Sequence, residues 1–171
     1  MYEEIFRQSD ANLWKVENGN ITPLNYGTKT IAEAAKFTPS GAYTTFRTYD
    51  IFGVLRFTKH LDRLEETSRL AGYDIHPDRT QLKDLLAALM AAFPSAEKRI
   101  RVTIDLEKEP GSIYLAWEKL AVPAAELYRH GIRCLTTEAH RDNPKAKLSS
   151  FLEKADEIRG QQCEACDEIL M

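Results

Sequence analysis

The chain has 171 residues, 43% hydrophobic and 29% charged, enough for one well-cored globular domain or two small ones. Twenty-three Lys and Arg against 26 Asp and Glu leave a formal net charge of −3, which argues against a generally basic nucleic-acid surface but allows a local basic pocket. No apolar run approaches the roughly 20 residues of a bilayer span, Met1–Arg7 lacks the pattern of a secretory leader, and three cysteines make no disulfide framework, so a reducing cytoplasm is the expected location.

In chain order, Leu13–Glu17 and Asn20–Thr22 flank Asn18-Gly19, the strongest short hairpin signal. Tyr43–Tyr49 is β-branched and aromatic, which predicts a strand. Val54–Phe57 is expected to pair with it after a turn through Asp50 and Gly53. Thr58 reads as a helix start and Gly72 as its stop. Asp78 and Gln81 have capping-box spacing. Leu82, Leu85, Leu86, Leu89, Met90 and Phe93 then form one apolar stripe on a helix that Pro94 ends.

Arg99–Leu106 alternates. Ile100, Val102, Ile104 and Leu106 share one face, while Arg99, Arg101, Thr103 and Asp105 share the other. Pro110-Gly111 turns this strand into Ile113–Trp117. After Pro123 a short helix is expected up to Gly131, then a strand over 132–136. A polar loop, His140–Pro144, precedes a helix from about Ser149 to Gln161, and Glu168–Met171 reads as the start of a buried strand. The pattern is α+β rather than a regular βαβ alternation, with a boundary expected between a small domain, 1–120, and an incomplete second one, 121–171.

Metal binding is not expected. Cys163-Glu164-Ala165-Cys166 is a lone CxxC with no second ligand pair at zinc spacing, and it lacks a thioredoxin-like setting. His60, His76, His130 and His140 show no shared spacing, and His60 is expected to satisfy the local helix start. What remains is a set of cations on structured segments: Arg47, Arg63, Arg101 and Lys147. Strand arginines can be solvated outer-face residues. Together these cations suit a small anionic ligand carrying phosphate and carboxylate groups, and Lys147 is a candidate Schiff-base amine.

Gly41–Tyr49, followed by His60-Leu61-Asp62-Arg63-Leu64, resembles the small N-terminal domain of class IV (fold type IV) pyridoxal-phosphate enzymes. That family includes branched-chain aminotransferases, D-amino-acid aminotransferases and 4-amino-4-deoxychorismate lyase. Lys147–Leu152, followed by Asp167-Glu168-Ile169-Leu170, resembles the segment with the Schiff-base lysine, with an offset of 168 − 147 = 21. Lys145 is the competing lysine. The resemblance implies that Arg63 binds the phosphate of pyridoxal 5'-phosphate and that Lys147 carries the cofactor. It also implies that Tyr43 lines the site and that Arg47 or Arg101 orients a substrate carboxylate. Amino-group transfer between an amino acid and a 2-oxo acid follows from it, as does a homodimer, with no nucleic-acid or membrane partner.

Family members continue beyond the Asp-Glu strand, into a segment whose glutamate pairs with the pyridine nitrogen. On that comparison this chain is a truncated relative with an impaired site. Two alternatives stay open. Thr44-Thr45 and Arg47 also resemble the lyase, which releases pyruvate without a 2-oxo-acid acceptor. A non-catalytic, oligomerising scaffold is the other.

Overall fold

The computed structural model describes residues 2–8, 11–138, 144–152, 155, 157–158 and 167–170. A short helix α1 (Tyr2–Arg7), which buries Phe6, leads into the hairpin of β1 (Leu13–Glu17) and β2 (Asn20–Pro23). Asn18 and Gly19 have φ of 49° and 81°, as a type I′ turn demands, so the expected hairpin forms. Helix α2 (Ile31–Ala35) was not anticipated, although its capping box is legible: Thr30 accepts from the Glu33 N–H, and the Glu33 carboxylate accepts from the Thr30 N–H.

Strand β3 (Gly41–Tyr49) forms where predicted. Its partner β4 is only Gly53–Val54, shorter than the expected 54–57. The reason is Arg56, whose φ of 52° turns the backbone out of the strand and into helix α3 (Phe57–Leu70). Arg56, and not Thr58, therefore stands at the N-cap. In α4 (Arg79–Ala92), Asp78 accepts from the Thr80 and Gln81 N–H groups, and the predicted apolar stripe is buried from Leu82 through Met90.

Strands β5 (Lys98–Asp105) and β6 (Ile113–Lys119) complete a six-stranded antiparallel sheet in the order β2-β1-β6-β5-β3-β4. Register decides its two faces. Phe46 opposes Ile100 and Ala42 opposes Ile104; on the next pairs Leu115 opposes Val102 and Trp14 opposes Leu115. These residues form the main core with α1, α3 and α4. The opposite face carries the rows Tyr43–Thr103–Tyr114 and Thr45–Arg101–Ala116, partly covered by Ile31 and Ala34 of α2. It is polar, yet Arg101, Thr103 and Asp105 are buried rather than solvated.

By internal contacts the chain divides into 1–120 with 146–149, and 121–145 with 150–171. In the second unit, α5 (Ala125–His130) precedes β7 (Cys134–Thr136), which pairs in parallel with β8 (Glu168–Leu170). Asp167 reinforces that pairing by accepting from the Arg133 N–H at 2.9 Å. Leu170 is 53% exposed, so the buried strand expected at 168–171 is an exposed one at that position. Residues 150–152, 155, 157 and 158 are helical. Cys163, Cys166, His140 and Met171 lie outside the described residues. Among the described residues no helix is long and apolar enough to cross a membrane, and no cluster of three metal-ligating side chains occurs.

Candidate functional site

The segment 146–149 lies antiparallel against the start of β3, with Leu148 opposite Ala42. The Tyr43 N–H donates to the Lys147 carbonyl at 3.0 Å and the Ser149 N–H to the Gly41 carbonyl at 2.9 Å. The Gly41 N–H donates to Ser149 Oγ at 2.9 Å, and the Lys147 N–H to the buried Thr67 Oγ1 at 3.2 Å. Gly41 also lets β3 lie close against β5: a Cβ there would stand 1.9 Å from the Ile104 carbonyl oxygen. Lys147 is thus fixed by its backbone in extended conformation, just before the helical residues that begin at 150.

Its ammonium nitrogen lies 5.0 Å from the centre of the Tyr43 ring. Arg101 comes to the same ring, its guanidinium carbon at 5.1 Å. Arg101 is 8% exposed and held in place: Nε donates to Thr45 Oγ1 and a terminal nitrogen to the Ile31 carbonyl, both at 3.3 Å. A buried guanidinium needs such acceptors, and here they fix its orientation.

On the other side of β3, helix α3 presents His60, Arg63 and Thr67 at i, i+3 and i+7, one stripe of the helix, with Arg56 at its N-cap. His60 Nδ1 is 2.8 Å from Thr44 Oγ1, and its ring packs 4.9 Å from that of Phe46. Burial, chiefly, and then the positive charges of Lys147 and Arg63 hold the His60 pKa below its ordinary 6.5, so the ring is neutral at pH 7. The Lys147 N–H bond to Thr67, one turn after Arg63 on α3, brings the two into one neighbourhood. Arg63 is exposed and has no acidic partner among the described residues.

Arg47, Arg56, Lys59, His60 and Arg63 line a cleft of about 390 Å³ with apolar walls from Phe46 and Leu55. Arg47 is apart from the Tyr43 group: it pairs with Glu97 at 2.6 Å and stacks on Tyr49 at 4.6 Å. Of the five sequence candidates, then, Tyr43, Arg101 and Lys147 meet around one ring, Arg63 stands on the neighbouring helix stripe, and Arg47 is neutralised elsewhere. His60, expected to satisfy the helix start, meets Thr44 instead, and Thr67, not singled out in the sequence, holds the Lys147 N–H. The signal was present as the helical spacing of His60, Arg63 and Thr67, but Thr44 joins them only through the fold.

This donor set fits a pyridoxal phosphate. A lysine amine lies beside an aromatic face, a second cation there could take a carboxylate, and Arg63, with no acidic partner among the described residues, could take a phosphate.

No curated protein matches the chain in sequence. A branched-chain amino acid aminotransferase from T.th., solved with pyridoxamine 5'-phosphate, superposes with a TM-score of 0.67 at 16% identity, covering 95% of this chain and 59% of that one. One from Thermoproteus uzoniensis with norvaline gives 0.66 at 17%, covering 94% and 59%. A hypothetical aminotransferase from Mycobacterium tuberculosis, PLP-bound, gives 0.63 at 17%, covering 93% and 62%. The chain therefore spans less than two thirds of the length of each, and it shares their fold, α+β with the antiparallel sheet of fold type IV. The family described as amino-transferase class IV matches residues 41–171, from the glycine that opens β3 to the end of the chain, and the protein belongs to that family.

Proposed function

We propose that the chain binds pyridoxal 5'-phosphate at Lys147 and takes part in amino-group transfer between an amino acid and a 2-oxo acid. The observation that carries this reading is the meeting of Lys147, Tyr43 and Arg101 around one aromatic ring, with Arg63, which has no acidic partner among the described residues, on helix α3. Bound there, the cofactor would supply an aldehyde that captures the amino group and a ring that draws electrons from the substrate carbon.

The residues divide the work. Lys147 Nζ would hold the cofactor, and the same amine would take the proton from the substrate α-carbon and return it elsewhere, as base and then acid. Its backbone bonds to Tyr43, Thr67 and, through Ser149, to Gly41 fix where that nitrogen starts. Arg63 takes the phosphate by charge-assisted hydrogen bonds. Arg101, already oriented by Thr45 and the Ile31 carbonyl, receives the substrate carboxylate with little further ordering. Arg47 is less suited to that task because Glu97 offsets its charge. In this reading 1–120 is the small domain and 121–171 the beginning of the cofactor domain, working in a cytoplasmic homodimer.

The test is a half-reaction. The chain is loaded with pyridoxal phosphate and mixed with individual L- and D-amino acids, and 2-oxo acid and pyridoxamine phosphate are quantified. Stoichiometric formation of both from at least one amino acid supports the proposal. Pyruvate from 4-amino-4-deoxychorismate with no acceptor present would replace it with the lyase reading. No product from any substrate, with a stable oligomer by light scattering, would replace it with the scaffold reading.

A further inference from the structure

His60 lines the cleft beside Arg63, and the proposed chemistry gives its ring nitrogens no role. Thr44 is 1% exposed, and its hydroxyl proton needs an acceptor. His60 Nδ1, at 2.8 Å, is positioned to accept it. If Thr44 donates to Nδ1 of a neutral ring, the ring's single proton sits on Nε2. Among the described residues Nε2 has no hydrogen-bond partner, and His60 lines the same cleft as Arg63, one helical turn away.

We propose that His60 is a phosphate-binding residue, its Nε2–H donating to the same anion that Arg63 takes, with Thr44 fixing the tautomer that makes it a donor. A neutral donor has an advantage here. Arg56 and Arg63 already line the cleft, so a further cation would add repulsion when the site is empty. The imidazole adds a directed hydrogen bond without adding charge, and burial against Phe46 keeps it so. This inference rests on the reading of Arg63 as the phosphate ligand.

The test compares the affinity of the full chain for pyridoxal phosphate and for pyridoxal, which lacks the phosphate, with inorganic phosphate as competitor. Four variants are measured: His60→Phe, His60→Gln, Thr44→Val and Arg63→Ala. His60→Phe is expected to weaken pyridoxal phosphate about tenfold to a hundredfold, the range of a hydrogen bond to a charged group, while pyridoxal affinity stays within about twofold. His60→Gln, whose amide nitrogen can donate from a similar position, recovers most of the loss. Thr44→Val, which frees the tautomer, gives a smaller loss of the same selectivity, and with His60→Gln it carries the test if His60→Phe does not fold. Equal losses for the two ligands, or no loss for either, would overturn the assignment of His60. If Arg63→Ala removes the preference for the phosphorylated ligand and the His60 and Thr44 variants do not, only the His60 inference fails. If Arg63→Ala also leaves that preference unchanged, the phosphate reading of the cleft fails with it.

Discussion

The two faces of the sheet are both buried but to opposite ends. On one, Ile100, Val102 and Ile104 of β5 disappear among α1, α3 and α4, and shape complementarity among carbon atoms is all that is required. On the other, Arg101, Thr103 and Asp105 are buried as deeply, and each polar group has to find a partner. Asp105 accepts the N–H groups of Glu107, Lys108 and Glu109 and so shapes the turn into β6. Arg101 is tied to Thr45, the Ile31 carbonyl and the Tyr43 ring. One face of a strand can therefore be held by apolar packing and the other by polar partners. Burial does not tell them apart; the partners do.

The largest expected effect that breaks this contrast is on the polar side. Lys147→Ala should lower amino-group transfer on the order of 10²–10⁴-fold while shifting the thermal midpoint little, because the side chain is only half-buried and the segment is held by its backbone. Next is a change confined to the apolar face. Leu89→Ala should cost about 2–5 kcal/mol in denaturant unfolding, and cofactor selectivity in the surviving folded fraction should be unchanged. Gly41→Ala couples the two faces, since its methyl group meets the Ile104 carbonyl. It should cost about 1–3 kcal/mol and, by displacing 146–149, also weaken cofactor binding. Arg101→Met should raise KM for the amino acid about tenfold, as for one lost charged hydrogen bond, and leave pyridoxal phosphate affinity within about twofold.

The smallest effect concerns Lys98, the other lysine taken from water. It is fully buried, donates to the Ala96 carbonyl at 2.7 Å and lies 5.8 Å from the Trp117 ring. Burial lowers its pKa from the ordinary 10.5. The unfolded chain then binds more protons in the window just below pH 10.5, so this group makes stability rise with pH there. Lys98→Met should remove that rise while leaving transfer activity intact, measured by unfolding from about pH 8 up to that value. His60 has the same sign in its own window below 6.5, where its protonation opposes folding.

Much of the frame was legible in residue order. Asn18-Gly19 specified its hairpin, the Leu82–Met90 stripe its helix, and the β-branched run at 43–49 its strand, because each is local chemistry repeated at the period of its element. Helix α1 was not legible, since six residues are too few for a helical period to show. The shortened β4 depends on a left-handed Arg56 that no local propensity announces. In the site, Arg63 and Lys147 stood out because their motifs are contiguous. Thr44 did not, because a threonine in a β-branched strand looks like strand, and its role depends on which helix lands on it. Arg101 read as an arginine on a polar face, and only the sheet's second covering, by α2, distinguishes a buried, oriented guanidinium from a solvated one.

The most direct test of the central claim is chemical trapping. The chain is incubated with pyridoxal phosphate, reduced with borohydride, digested, and the modified peptide identified by mass spectrometry. The expected result is one stoichiometric adduct on Lys147, lost in Lys147→Ala and unchanged in a variant of Lys145. An adduct on Lys145, scattered labelling of surface lysines, or no adduct would contradict the assignment of Lys147 as the residue that holds the cofactor.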